Sequence, residues 1–554
     1  MEKYKISLVD SGDSAISIRF PQEISEKIHN EVIFYLNTIK RAASEGRISG
    51  ILDIIPSYAA ILIYFDPIIT DGEAIKNNIE DLILSQSSKD TTCYTPKTIE
   101  IPVKYGDEYG PDFDFVSSHT GLSKEEIIRL HTAPLYPVYM IGFLAGFPYL
   151  GGMDNRLSSP RLETPRLSVA SGSVGIAGNQ TGVYPISSPG GWRIIGRTPL
   201  KLYDPFSENP FPVSAGDYIK FVATDEFSES DESTKNHSVN NKTQPINPPS
   251  FRILSPGPMT TVQDLGRFGF MDKGLSQSGA MDNLELAKLN TMLGNEINAA
   301  GLEATFITPR IEFLEDTYLA VSGIPCPILA RKGDVLESLV MNRGIRTYFA
   351  FLGGIDIEPT LGSRSTDIKN GIGGIHGRRL EKDDEITLSQ TMLSSYDKCI
   401  SIKEANEWIQ ENNKPLDNSE VNILYITSGP QYHDIDDDSL KAFLNSEYTV
   451  STASDRMGIR FDGPILTFKE GKDGNIITDG LTPGAIQITP SGNPILMNVD
   501  SQTTGGYSKP FWLASVSKQK VAQLRPGDKV KFCLIKTQDA LTMWRDLSSS
   551  ILSK

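Results

Sequence analysis

Residues Gly172 to Thr198 read GSVGIAGNQTGVYPISSPGGWRIIGRT, alternating apolar residues broken by Gly-Asn, Ser-Pro and Gly-Gly. A period of two between such corner residues predicts short strands joined by tight turns, not helices. The pattern returns from Gly484 as GAIQITPSGNPILMNVDSQTTGGYSKPFWLASV, with a second turn, a second paired Gly and an aromatic. Each copy then runs into a Gly-Asp turn and an alternating strand, SAGDYIKF (214–221) and RPGDKVKF (525–532). The chain therefore holds two versions of one β-rich unit. Upstream, Arg156 and Arg161 have loose counterparts in Arg456 and Arg460. A third Gly-rich run, FAFLGGIDIEPTLGSRSTDIKNGIGG (349–374), closes on EKDDEITL (381–388), giving three barrel-type units.

The 554 residues predict three to four domains. A net charge of -16 argues against sequence-independent nucleic-acid binding, and any anionic ligand must meet local arginines. Cys93, Cys326, Cys399 and Cys533 form no CxxC pair, so neither a zinc knuckle nor a disulfide framework is expected. The first twenty residues lack a basic start followed by an apolar run, and no apolar stretch is long enough to span a bilayer. The expectation is a cytoplasmic protein.

Ahead of the first barrel, strands at 4–9, 15–20, 50–55 and 59–65 alternate with two helices, the first with Ile24, Ile28, Val32, Leu36 and Ile39 on one face and the second at 73–84. This is a small α+β domain (1–97), followed by a barrel at 98–223. Within that barrel, Ser123 caps a helix ending near His131, which reads as a packed histidine at least as readily as a catalytic one. Polar, proline-ended 224–250 reads as a flexible linker between separately folded halves. Two more barrels follow at 251–395 and 396–536, with a tail at 537–554. Asp282 stands three residues before Glu285 and reads first as a helix cap.

Arg156, Arg161, Arg166, Arg193 and Arg197 gather among glycines and hydroxyl residues, a composition suited to carboxylate or phosphate oxygens. Gln263, Asp264 and Arg267 in VQDLGR, and Ser363, Arg364 and Ser365 in LGSRST, are polar groups at Gly-rich turns, where they build no core.

With these motifs assembled, GFxxGFxYL, PRLxTPR and SPGGWxIIGRTP resemble the KipI-like family, similar to the B-type subunit of 5-oxoprolinase. TTVQDLGRxG, SGAMD, LGSRST, SDRMGIRxDGP and DxQTTGGY resemble the KipA-like family, similar to the C-type subunit of the same enzyme. Both also resemble the carboxyltransferase portion of urea carboxylase. The resemblance implies mainly β architecture with some α, several cyclophilin-like β-barrels preceded by a small α+β domain. It singles out Arg161, Arg166, Arg193, Gln263, Asp264, Arg456 and Tyr507 as catalytic positions. Gln180, Tyr184, Arg267, Ser363, Arg364, Gln487, Asp500, Thr504, Gly505 and Gly506 are singled out for binding. Ala145 and Ser171 stand where the family usually has Pro.

The function implied is one component of an ATP-dependent 5-oxoprolinase, with ATP and Mg²⁺ and a separate A-type subunit as partner; a homo-oligomer stays open. Asp264 or Asp500 is the expected Mg²⁺ ligand. No GxxxxGK[ST] loop marks the nucleotide site. Two alternatives are a carboxyltransferase using biotin carried in trans, and a regulator of a sensor histidine kinase. In any of these the arginine-rich loop of the first half and QTTGGY of the second are expected to face one cleft.

Overall fold

The computed structural model describes residues 5–85, 94–227, 248–389, 396–414 and 421–552; most of the expected linker, 228–247, lies outside them. The architecture is mainly β, with three barrel-type units and a small α+β domain. In the small domain an antiparallel sheet of Ser7–Asp10, Ala15–Arg19, Ala60–Phe65 and Ile51–Pro56 is covered by helices Glu26–Ser44 and Gly72–Ser85. Ile28, Val32, Leu36 and Ile39 line the buried face of the first helix as their spacing requires. Ile24 does not join them: the helix starts after Ser25, and Ile24 is half exposed.

The repeat read from the sequence is a repeat of topology. Tyr218–Ala223, after the first Gly-Asp turn, pairs parallel with Thr98–Tyr105 and antiparallel with Tyr136–Ile141. Lys529–Leu534, after the second, pairs parallel with Asn422–Ser428 and antiparallel with Tyr448–Val450. The signature hairpins correspond as well. Ser173–Ala177 pairs with Gln180–Val183 and Arg193–Arg197, as Ala485–Ile488 pairs with Pro494–Met497 and Thr504–Leu513. Pairing of Asn422–Ser428 with Thr504–Leu513 closes the last barrel.

One turn explains why the Gly-Asp pair recurs. Gly216 and Gly527 have φ of 91° and 94°, and the next residue's carboxylate accepts the N–H three residues back, Asp217 from Ser214 and Asp528 from Arg525, both at 2.8 Å. In the middle barrel Asp383 takes the positive-φ place at 70° and Asp384 accepts from Glu381 at 2.7 Å. There the likeness stops, because Glu385–Ile386 runs antiparallel to Phe251–Ser255. The middle unit shares the turn but not the strand pairing that follows it.

The two halves are in contact, and the small domain is seated on the second half. Asp13 accepts from the Ser515 N–H at 2.8 Å and its hydroxyl at 2.9 Å, and Asp53 accepts from the N–H groups of Gly269 (2.9 Å) and Met271 (3.0 Å). Buried Asp479 takes Lys509 at 3.0 Å and Arg19 at 3.5 Å. The expected tail is in fact helix Thr537–Leu552, with Ala540, Leu541 and Trp544 buried. Its Arg545 reaches the carbonyls of Pro67 (2.8 Å) and Thr70 (2.9 Å) in the small domain.

Burial pushes the Asp53 carboxyl up to about 7 from an ordinary value of 3.8, because two N–H donors do not replace its lost hydration. A carboxyl raised on folding binds its proton more tightly in the folded chain, so its contribution is full below pH 4 and is lost as pH climbs towards 7. The loss approaches about 1.4 kcal/mol per pH unit within that window. Asp53→Asn, neutral throughout, is expected to flatten the pH dependence of urea-unfolding free energy between about pH 5 and 7. Parallel pH profiles for wild type and variant would contradict this account of the docking.

Candidate active site at the seam between the halves

The signature loop IGFLAGF (141–147) of the first barrel lies in the second half. Ile141 bridges to Lys273, Gly146 N–H donates to the Lys273 carbonyl at 2.8 Å, and Gly142 packs on Thr504 so tightly that a Cβ there would lie 2.1 Å from Oγ1. Glycine is required at 142 by the other half of the protein, not by its own backbone. Phe143 follows at φ 65°, a left-handed conformation that costs an aromatic residue about 1–2 kcal/mol. Its carbonyl is thereby turned to accept from Lys369 Nζ of the middle barrel at 3.2 Å.

Thr504 opens the long strand Thr504–Leu513, whose partners show register shifts on both sides, next to Gly505 and Ile488. Bulges of this kind re-aim side chains. Gln487 lies against Gly505, where a Cβ would be 2.5 Å from its Nε2. Gln487, Thr503 and Thr504 are buried; Gln487 Nε2 and Thr503 Oγ1 have no hydrogen-bond partner within the protein, and the Thr504 hydroxyl has the Tyr149 phenol beside it. A buried unpaired amide or hydroxyl costs about 1–3 kcal/mol, so Gln487, and Thr503 two residues before its neighbour Gly505, mark a place where a ligand or water completes the bonding.

From the first half, half-buried Tyr149 faces Thr504 and Arg161, and its phenol is raised by desolvation. Gln180 Nε2 donates to Tyr58 of the small domain at 2.8 Å, and Tyr58 packs on Tyr139 and Tyr149. Three units therefore meet around Thr504. Tyr507, directly after the glycine pair, is 41% exposed at the rim, and a Cβ on Gly506 would meet only ordinary contacts.

Other residues expected in the site are committed to the fold. Asp112 collects Arg166 through two bonds of 2.9 Å, Arg193 at 3.7 Å and the Ile194 N–H at 2.7 Å. The Arg193 guanidinium also lies 3.5 Å over the Phe115 ring. Tyr184 is buried among Phe147 and Trp192. Arg456 is held by Asp500 at 2.8 Å, Glu303 and the Gly279 carbonyl at 2.7 Å. Its supposed counterpart Arg156 is an exposed partner of Asp154, so the arginines of the two repeats do not share a role. Arg364 Nε donates to the Ile357 carbonyl at 2.7 Å.

Asp264 is a loop anchor. It accepts from the hydroxyls of Ser363 (2.7 Å) and Ser365 (2.5 Å) and the N–H groups of Arg364 (2.6 Å) and Gly266 (2.9 Å). With the Asp500 carboxylate filled by Arg456, neither acid stands ready for Mg²⁺, and among the described residues no three His, Cys, Asp or Glu side chains form a metal-binding group. Gln263 donates to Thr261 at 3.0 Å and Arg267 to the Thr360 and Ser365 carbonyls at 3.0 Å, leaving Gln263 Oε1 and Arg267 Nη1 unpartnered. His131 is a core histidine between Tyr105 (2.7 Å) and Thr181 (2.8 Å), lowered to about 3 by burial.

Lys369, Tyr149, Tyr58 and Thr503 belong to the seam without being marked by the sequence reading, although GFxYL contains Tyr149 and QTTGGY contains Thr503. Nothing local to Lys369 distinguishes it from a surface lysine.

Comparisons with known proteins agree with this architecture. Residues 6–213 match a family model described as carboxyltransferase domain, subdomain C and D, and residues 273–534 one described as carboxyltransferase domain, subdomain A and B. The chain is 41% identical over 225 residues to the B-type subunit of 5-oxoprolinase from Bacillus subtilis, covering 39% of this chain and 91% of that protein. It is 33% identical over 308 residues to the C-type subunit of 5-oxoprolinase from Escherichia coli K12, covering 53% and 94%. Urea amidolyase of Lachancea kluyveri is 30% identical over 318 residues, 53% of this chain but 17% of its own length. The crystal structure of TTHA0988 superposes with a TM-score of 0.78 at 27% identity, over 94% of this chain and 99% of that one. The chain belongs to the carboxyltransferase-domain family. Within it, the first half is the counterpart of the B-type 5-oxoprolinase protein and the second half of the C-type protein, joined in one polypeptide.

Asp264→Ala removes the acceptor of four donors at once and is expected to cost about 3 kcal/mol or more of stability in chemical denaturation. An unchanged denaturation midpoint with lost activity would instead make Asp264 a residue of the reaction.

Proposed function

We propose that the chain is the lactam-activating component of an ATP-dependent 5-oxoprolinase that works with a separate A-type subunit. The observation that carries this reading is the pair of buried donors left unpartnered at the seam, Gln487 Nε2 and the Thr503 hydroxyl, with the Thr504 hydroxyl next in the chain and facing Tyr149. Donors of this type suit a carbonyl oxygen that gains charge in the transition state. Amide resonance makes a lactam a poor electrophile. In the proposed reaction the lactam oxygen attacks the γ-phosphorus of ATP and ADP leaves. Water then adds to the activated carbon, the ring C–N bond breaks as nitrogen takes a proton to leave a side-chain acyl phosphate, and a second water hydrolyses that anhydride, releasing phosphate and glutamate. Arg161, with no carboxylate partner among the described residues, is the cation available to phosphoryl oxygens. The acids among the described residues offer Mg²⁺ no prepared cage, so Mg²⁺ would enter on the phosphates of the nucleotide.

A second reading, carboxyl transfer from a biotin carried in trans to a urea-like nitrogen, is favoured by the family models, whose descriptions name a carboxyltransferase. The same donors would serve its oxyanion. The two are separated by measuring ADP and glutamate release from the chain plus its A-type partner, with and without 5-oxoproline. Substrate-stimulated release that falls at least about 100-fold in Gln487→Ala/Thr504→Val supports the lactam reading. Carboxyl transfer from a carboxybiotin carrier without such release supports the second.

A further inference from the structure

We propose that Lys369 forms a carboxylate-binding subsite at the seam, the group by which the site tells a lactam acid from a neutral lactam; this rests on the lactam reading above. Lys369 sits on a turn fixed by reciprocal backbone bonds between Asp367 and Ile372 (2.9 and 3.1 Å) and by the Asp367 carboxylate, which accepts from Asn370 N–H (3.0 Å) and Nδ2 (2.7 Å). The side chain crosses from the second half to the first and gives one N–H to the Phe143 carbonyl. That bond sets its direction and leaves two donors. Asp367 and Asp500 act on its charge from nearby, yet neither forms an ion pair with it, for Asp367 is occupied by Ser276 and Asn370 and Asp500 by Arg456.

The neighbouring residues make this ammonium part of a built site. Phe143, which holds it, directly follows Gly142, which packs on Thr504, and Thr504 directly precedes Gly505, which packs on Gln487. Lys369 is thus linked by packing to the buried donors, and Arg161, in the first barrel, reaches the same place through Tyr149, which faces Thr504. The two cations differ in chemistry. Arg161 is an exposed guanidinium fork suited to phosphoryl oxygens of a nucleotide entering from solvent. Lys369, exposed as well, is a compact charge whose neighbours are the exposed apolar residues Phe143, whose carbonyl it holds, and Ile368, next to it in the chain, a setting for a carboxylate attached to ring methylenes. Arg166, Arg193 and Arg456 are spent on Asp112, Asp500 and Glu303 and cannot take this part.

The test compares 5-oxoproline with 2-pyrrolidinone, the same lactam without its carboxylate, by ligand-observed NMR titration of the full chain. A charge-assisted contact of this kind corresponds to about 10- to 100-fold tighter binding of the acid. Lys369→Met is expected to abolish that preference by weakening 5-oxoproline alone, with 2-pyrrolidinone unchanged, and Lys369→Arg to restore part of it. A preference that survives in Lys369→Met, or is missing in the wild type, overturns the subsite and leaves the lactam reading standing. Loss of both ligands in Lys369→Met and Lys369→Arg alike would make the lysine a docking residue and overturn it too. If neither lactam binds the wild-type chain, both readings fall together.

Discussion

The structure depends on buried carboxylates that take up backbone N–H groups across the boundary between its two halves. Asp13 and Asp53 project from the small domain and satisfy donors in loops of the second half, where they are shut off from solvent. Burying such groups is costly and these donors recover part of that cost, so a placement of the halves that removed the donors would be penalised further. From the observed placement follows the rest: IGFLAGF enters the second half, Gly142 meets Thr504, and Lys369 finds the Phe143 carbonyl. The proposed site belongs to neither half alone.

The repeat and the site obey different rules. The two signature barrels share strand order, closing parallel strand and Gly-Asp turn, all of them backbone requirements that a sequence records as glycine, aspartate and period two. Their functional surfaces diverge. In the first copy Arg166 and Arg193 are drawn to Asp112, while in the second the same region holds unsatisfied amide and hydroxyl groups. One copy braces and the other presents donors.

This difference marks what a sequence can disclose. Barrels, the small domain, the Asp282 cap and the two family likenesses are readable because they rest on periodicity, capping and turn chemistry. The Asp282 carboxylate does accept the Glu285 N–H, at 3.0 Å. What cannot be read is how charges pair over long separations. Arg166 finds Asp112 across 54 residues, and Asp264 finds Ser363 across 99, so residues that look available in a Gly-rich loop are already engaged. Lys369 is the converse case, a lysine without local signal given a place by a carbonyl 226 residues away. The closing helix escapes notice for another reason: polar neighbours dilute the apolar spacing of Ala540, Leu541 and Trp544.

The central claim, that chemistry requires the seam, is tested most directly at Gly142, whose missing Cβ is the space occupied by Thr504 of the other half. The measurement is 5-oxoproline-stimulated ATP hydrolysis by Gly142→Ala with the A-type partner, alongside its unfolding midpoint. The account predicts at least about a 10-fold fall in stimulated hydrolysis, because a displacement of about 1 Å suffices for losses of that order, with the chain still folded. Full stimulated activity in a folded Gly142→Ala chain would contradict it.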